Sequence, residues 1–218
     1  MMSPTAMTAE HFGDHARRIL GQEPHGRALD PATPPVRGDH DLNANVDVPD
    51  LDEPIRPAAV LVPIVPRGGG LQVLLTLRAA HLPTHAGQVA FPGGEVEPHD
   101  PSALETALRE AEEEIGLVRD CITPLGYLDS YQTGTGFRVL PVVALVEPGF
   151  SLVIDPSEVA DTFEVPLAFL MDPANHQRHS IEWKGATRYY YAMPWEDRYI
   201  WGATAGILRN LQETLFKR

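Results

Sequence analysis

The sequence predicts an α/β sandwich built on a mixed β-sheet, and three observations carry that prediction. Apolar runs of strand length recur along the chain, at 58–65, 71–78, 122–131 and 137–146. Two longer stretches, 101–115 and 203–216, place apolar residues at helical spacing instead. Several strands are joined through short glycine-containing turns, the usual connection between antiparallel neighbours. Hairpins interleaved with two substantial helices fold as helices covering one mixed sheet.

Residues 1–56 read differently from the remainder. Pro24, Pro31, Pro34, Pro35 and Pro49 mix with Asp39, Asp41, Asp47 and Asp50, and no hydrophobic period is sustained. A short helix at 10–20 in an otherwise extended or poorly ordered N-terminal extension is expected, with the globular domain at 57–218. Strands 58–65 and 71–78 flank Pro66-Arg67-Gly68-Gly69-Gly70, a hairpin connection. A phosphate-binding loop would continue with Lys-Ser/Thr, but Leu71-Gln72 follows, so a plain turn is the better reading.

A loop at 79–87 leads into a short strand at 88–91 and the turn Pro92-Gly93-Gly94. The best helix, 101–115, has Asp100 as its expected N-cap, Pro101 in the first helical position and Gly116 as its stop. Strands 122–131 and 137–146 enclose a turn with Gly134 and Gly136, while 181–184 and 187–193 flank Gly185 as a further hairpin. The final helix sets Ile207, Leu208, Leu211 and Leu215 on one face.

Composition bounds the function. The 218 residues, 43% hydrophobic, suffice for one domain with a real core plus an extension. Seventeen Lys and Arg against 30 Asp and Glu leave a net charge of −13, which argues against nucleic acid or an anionic membrane as partner. An anionic small molecule is admitted where metal ions mediate the contact. A single cysteine, Cys121, excludes an intrachain disulfide framework and fits a reducing compartment. Residues 1–21 lack the apolar stretch of a targeting segment, and the longest apolar runs contain prolines and are too short to span a bilayer. A cytoplasmic location is therefore expected; the oligomeric state is left open, a homodimer included.

The informative segment is 93–117. Leu104, Leu108, Ala111 and Ile115 form the buried stripe of the helix, and Glu110, Glu113 and Glu114 fall on the broadly opposite side. Three carboxylates at i, i+3 and i+4 repel, which is poor for helix stability alone. Mg²⁺ or Mn²⁺ reverses the sign of that interaction and can bridge to phosphate oxygens. A bare acidic cluster would be read as a solvated face. Here a Gly-Gly turn precedes the helix, Arg109 adjoins the first Glu and Gly116 follows the last, which together imply a fixed loop–helix–loop. Between Glu95 and Gly116 eight acids face the single Arg109, a balance of −7 within the net −13. Much of the acid excess is thus metal-ligand capacity.

These residues resemble the box of the Nudix hydrolases, G-x5-E-x7-R-E-U-x-E-E-x-G-U with U aliphatic. Gly94, Arg109-Glu110-Ala111, Glu113-Glu114 and Gly116-Leu117 occupy matching positions. Asp100 stands where Glu is expected, and one extra residue precedes Arg109. The resemblance implies a Nudix-like α/β/α sandwich with a mixed sheet. It also implies Glu110, Glu113 and Glu114 as Mg²⁺ or Mn²⁺ ligands joined by the Gly93 carbonyl, with Arg109 orienting the glutamates. For Asp100, helix capping is the favoured role.

Immediately upstream, Leu74-Leu75-Thr76-Leu77-Arg78-Ala79, Gly87 and Phe91-Pro92-Gly93-Gly94 resemble the motif of the coenzyme A pyrophosphatase subfamily. The motif's second arginine is replaced by Pro83, which carries neither charge nor donor. The two motifs cover about a fifth of the chain. The resemblance implies metal-dependent hydrolysis of the pyrophosphate of coenzyme A or its derivatives, giving 4′-phosphopantetheine and adenosine 3′,5′-bisphosphate, with Arg78 and Gly94 binding substrate. The alternatives are a Nudix pyrophosphohydrolase for ADP-ribose or another nucleoside diphosphate derivative, which Pro83 favours, and a non-catalytic nucleotide-binding regulatory module, which the intact glutamate set disfavours. The general base is left open among the box glutamates and two candidates from elsewhere, Glu158 and Glu164.

The remaining polar and aromatic residues have bland readings. Tyr131 and Arg138 flank a turn expected to be exposed. His81 and His85 are expected to be solvated loop residues, since a zinc pair needs further ligands; His176 and His179 are read likewise. Trp183, Tyr189, Tyr190, Tyr191, Trp195, Tyr199 and Trp201 are expected in core or interface rather than stacking on a base. Cys121 is read as a small buried hydrophobe.

Overall fold

The computed structural model describes residues 7–24, 26–43, 54–183 and 185–217. From the N-terminus run helix α1 (Ala9–Ile19) and strands β1 (Arg37–Gly38), β2 (Arg56–Arg67), β3 (Gly70–Arg78), β4 (Val89–Ala90) and β5 (Gly93–Glu95). Helix α2 (Ala103–Ile115) follows, then β6 (Ile122–Tyr127), β7 (Tyr131–Gln132), β8 (Phe137–Val146), β9 (Val159–Pro166) and the short α3 (Leu167–Leu170). Strands β10 (Gln177–Trp183), β11 (Ala186–Trp195) and β12 (Arg198–Trp201) precede helix α4 (Gly202–Leu215). Lys184, at the end of one expected strand, and 44–53 of the expected extension lie outside the described residues.

Among the described residues nine strands form a mixed sheet with β1-β7-β8-β2-β3-β4 along its path; β5 also pairs with β2, β6 with β8 and β9 with β3. The long β2–β8 pair is parallel, and β2–β3 is a tight hairpin closing at Arg67 and Gly70. Strands β10–β12 form a separate antiparallel sheet.

The strand period of two explains why both faces of the large sheet are covered. Along β2, Ala58, Val62 and Ile64 enter one apolar cluster, while Ala59, Leu61 and Val65 enter the other. The first cluster is closed by α1, α3, α4 and the small sheet through Phe12, Leu167, Leu208, Leu211, Met193 and Ile200. The second is closed by α2 through Ala107, Leu108, Ala111 and Ile115. This is an α/β/α sandwich with a mixed sheet. Among the described residues no helix is long and apolar enough to cross a membrane.

The described residues 7–24 and 26–43 before β2 pack onto the domain. Thr8 caps α1 by accepting from the His11 amide, and Phe12 and Ala16 are fully buried. Further along, Arg37 and Gly38 pair with Tyr131 and Gln132. The turn after β7 exposes Thr135 at its tip, but the residues that flank it are not exposed. Tyr131 and Arg138 are buried at 5% and 1% exposure, because this N-terminal segment folds over them. The Tyr131 hydroxyl donates to Asp39, and Arg138 donates to the carbonyls of Asp30 and Thr33 and to Gln132.

Candidate active site

Helix α2 begins two residues later than its sequence suggests. Ser102, not Asp100, is the N-cap, its hydroxyl accepting from the Glu105 amide, so Pro101 lies outside the helix. The expected stop holds: Gly116 takes a left-handed conformation at φ 66°, and its amide reaches the carbonyls of Ala111 and Glu112. Asp100 has another task. Its side chain is 3% exposed and bonded to Arg109 Nε at 3.0 Å and Nη2 at 2.9 Å, while accepting from Thr106 Oγ1 and the Glu97 amide. These bonds, Arg109 foremost, hold the Asp100 carboxyl well below the usual carboxylate range. The expected capping role is thus replaced by a buried ion pair, a contact that helix-terminus preferences do not reveal.

Arg109 is the hub of the site. Its Nη1 donates to Glu110 at 2.7 Å and to Glu113 at 2.9 Å, while Asp100 holds the other side of the guanidinium. Glu113 is 60% exposed and Glu110 only 15%. The Glu110 carboxylate lies directly against Gly94, where a Cβ would stand 2.5 Å from its Cδ. Any side chain at 94 would therefore displace that glutamate.

Glu114 departs most from the helical wheel. The periodicity puts it on the polar side with the other two, yet its side chain is 4% exposed. Strand β5 and the loop 147–158 cover that flank of α2. Glu114 Oε2 accepts from the Gly93 amide at 3.2 Å, and burial pushes its pKa up to about 8, with the charges of Glu110 and Glu158 adding to the rise. Burial also raises Glu110, against the pull of Arg109. Gly93 itself, at φ 152°, pairs with Val60, and a Cβ there would collide with the Ala59 carbonyl.

Arg78 and Glu158 are brought in by a bulge. Between Leu77 and Arg78 the β3–β9 register shifts, so that Arg78 lies opposite Val159 rather than Ala160. The bulge aims Arg78 at the same side as Glu114, with Nη1 4.0 Å from Glu114 Oε1. Its Nε is buried with no hydrogen-bond partner. Glu158, one residue before β9, is near enough that its charge raises both Glu110 and Glu114. Glu164 is not brought there: it stands within β9, and Arg67 holds both its oxygens. Of the two candidate bases named from the sequence, Glu158 thus lies by the carboxylate cluster and Glu164 is taken up by Arg67. Pro83 is exposed in the loop between β3 and β4, and Cys121 is partly buried against the α2 cluster. His81 is exposed, as expected, but not merely solvated: its Nε2 lies 3.1 Å from the Ser157 carbonyl.

Among the described residues no three His, Cys, Asp or Glu side chains converge into a ready ligand cage, since Arg109 draws Glu110 and Glu113 toward itself. The donor chemistry nevertheless fits a hard divalent cation. Glu110, Glu114 and Glu158 are mutually repelling oxygen donors, and one of them is buried with only a backbone amide within hydrogen-bond reach. An added positive charge there offsets both burial and repulsion.

A model of the NUDIX domain matches residues 55–184. The chain is 42% identical over 156 residues to an uncharacterized Nudix hydrolase, NudL, of Yersinia enterocolitica, covering 72% of this chain and 80% of the relative. Its counterpart in Yersinia pestis is 41% identical over 158 residues, with 72% and 79% covered. Among solved structures, the Nudix hydrolase RenU of M. Smegmatis is 26% identical with a TM-score of 0.45, covering 53% of this chain and 73% of that one. The domain match spans more than half of the chain, which belongs to the Nudix family of hydrolases.

Proposed function

We propose that this Nudix hydrolase cleaves the pyrophosphate bond of coenzyme A or one of its derivatives, using Mg²⁺ or Mn²⁺. The observation that carries the reading is the juxtaposition of buried Glu114 with Glu110, Glu158 and the unpartnered Nε of Arg78 beside the Gly93-Gly94 turn. Carboxylates gathered beside a guanidinium with a free donor suit a phosphate arriving with its own cations. The choice of coenzyme A within the class of nucleoside diphosphate derivatives rests on the residues from Leu74 to Gly94 that match that subfamily's motif.

Glu110, Glu113, Glu114 and the Gly93 carbonyl would hold the cation, Glu110 and Glu113 turning from Arg109 to do so. When bound, the cation neutralises pyrophosphate charge and makes water more acidic. Arg109, anchored by Asp100, holds Glu110 and Glu113 beside the turn until the cation takes them. Arg78 binds a phosphate oxygen, and Gly94 leaves room for the Glu110 carboxylate beneath the turn. Glu158 accepts the proton of the attacking water, whose oxygen bonds to one phosphorus as the bridging P–O bond breaks.

The second reading, ADP-ribose or another nucleoside diphosphate derivative, rests on Pro83, since the exposed loop there offers no guanidinium. The deciding experiment incubates the protein with coenzyme A, acetyl-coenzyme A, ADP-ribose, NADH and diadenosine polyphosphates, with Mg²⁺ or Mn²⁺, and identifies products by mass. Release of 4′-phosphopantetheine and adenosine 3′,5′-bisphosphate is expected. Cleavage of ADP-ribose with coenzyme A untouched overturns the first reading in favour of the second. Pro83→Arg is expected to lower the KM for coenzyme A; no change would make the lost arginine irrelevant.

A further inference from the structure

Glu158 is delivered to the carboxylate cluster by a loop whose backbone is tied at successive points. The Val153 and Asp155 amides donate to the carbonyls of Ile115 and Glu114, each at 2.9 Å, satisfying the open C-terminal end of α2. Asp155 Oδ1 then accepts from the amide and hydroxyl of Ser157, turning the chain back. The Glu158 and Val159 amides both donate to the Asp155 carbonyl, and the Ala79 amide donates to the Glu158 carbonyl at 2.8 Å.

The peptide group between Ser157 and Glu158 sets the direction in which the Glu158 side chain leaves the backbone. Its N–H is held by Asp155, and among the described residues its carbonyl is held by His81 alone, whose Nε2 lies 3.1 Å from the Ser157 oxygen. A carbonyl can only accept, so His81 Nε2 carries the hydrogen. We propose that His81 is a positioning residue for Glu158, clamping the Ser157–Glu158 peptide so that the carboxylate stays directed at Glu110 and Glu114. The proposal rests on the reading of Glu158 as the base. Neither motif specifies a residue at position 81, so only the tertiary contact points to this residue.

The test uses the full chain with Mg²⁺ and the panel substrate turned over fastest, together with hydrogen exchange of segment 155–160 in metal-free protein. His81→Ala is expected to lower kcat about tenfold with KM within about twofold, as loss of a supporting hydrogen bond does. It should also speed exchange of the Glu158 amide. His81→Gln, whose amide nitrogen reaches the same oxygen, should restore both. In a Glu158→Gln background His81→Ala should cost nothing further, because the group it positions is gone. Wild-type kcat in His81→Ala, unchanged exchange at 155–160, or a loss that persists undiminished beside Glu158→Gln overturns the proposal. Undiminished turnover in Glu158→Gln alone is a separate result: it removes Glu158 as base, and the role of His81 with it.

Discussion

Replacing Glu114 by Gln in the metal-free protein should make it more stable at pH 9 and change it little at pH 4. The reason lies in burial: the side chain is 4% exposed, and its pKa rises from 4.5 to about 8 on folding. A carboxyl so raised binds more protons folded than unfolded between those values, so its contribution to stability falls as pH climbs through that window. Below pH 4.5 Glu114 is neutral in both states and costs nothing; above pH 8 the full penalty applies. At about 1.4 kcal/mol per pKa unit the interval sets an upper bound of about 5 kcal/mol, and relaxation of the site reduces the expected gain to about 2–4 kcal/mol. Gln retains the acceptor for the Gly93 amide, so packing and that hydrogen bond survive. Urea unfolding with EDTA, followed by circular dichroism from pH 4 to 9 for both proteins, measures the difference directly. Other groups, such as His176, whose pKa burial lowers, cancel in that difference. Added Mg²⁺ should stabilise the native sequence at pH 9 and the variant less. Equal stabilities across the pH range would refute the idea that Glu114 is held in a low-dielectric site among like charges.

Three further outcomes follow from the same contacts. Glu158→Gln should lower kcat by about 10²–10⁴, the range of a general base, whereas Glu164→Gln should leave kcat unchanged because it loses only a surface pair with Arg67; equal effects in steady-state assays would undo the distinction. Asp100→Asn removes one partner of a buried ion pair and should cost about 3–5 kcal/mol at pH 7, read from urea unfolding. Because the Asp100 pKa is lowered, its contribution is present above about pH 4, where unfolded Asp ionises, and disappears as pH falls, so the two proteins should converge in acid. Phe12→Ala in α1 should lower stability by about 3–5 kcal/mol; a loss below 1 kcal/mol would mean that α1 is dispensable to the core.

The features legible in the sequence are those set by neighbours along the chain. The apolar stripe of α2, its Gly116 stop, the β2–β3 hairpin and the clustering of Glu110, Glu113 and Glu114 all arise within a few residues, through helical period, left-handed glycine geometry and strand alternation. Strand β9 and the short α3 escaped notice because the half-buried stretch 159–166 lacks a sustained alternation and is stabilised by pairing with β3. Tyr131 and Arg138 read as turn residues because the segment that buries them comes from 30–43, nearly a hundred residues earlier.

At the site, the sequence by itself determined the donor chemistry: oxygen ligands on one helix beside a glycine turn, with an arginine among them. Only the tertiary structure decided how those donors behave. It paired Asp100 with Arg109, buried Glu114, turned Arg78 inward through a bulge and separated Glu158 from Glu164, although both carboxylates lie within one short stretch of chain. Each outcome depends on which distant backbone covers a side chain and thereby sets its dielectric surroundings and partners. That information resides in the packing of β3, β5, β9 and the loop 147–158 around α2, and no local pattern along the chain encodes it.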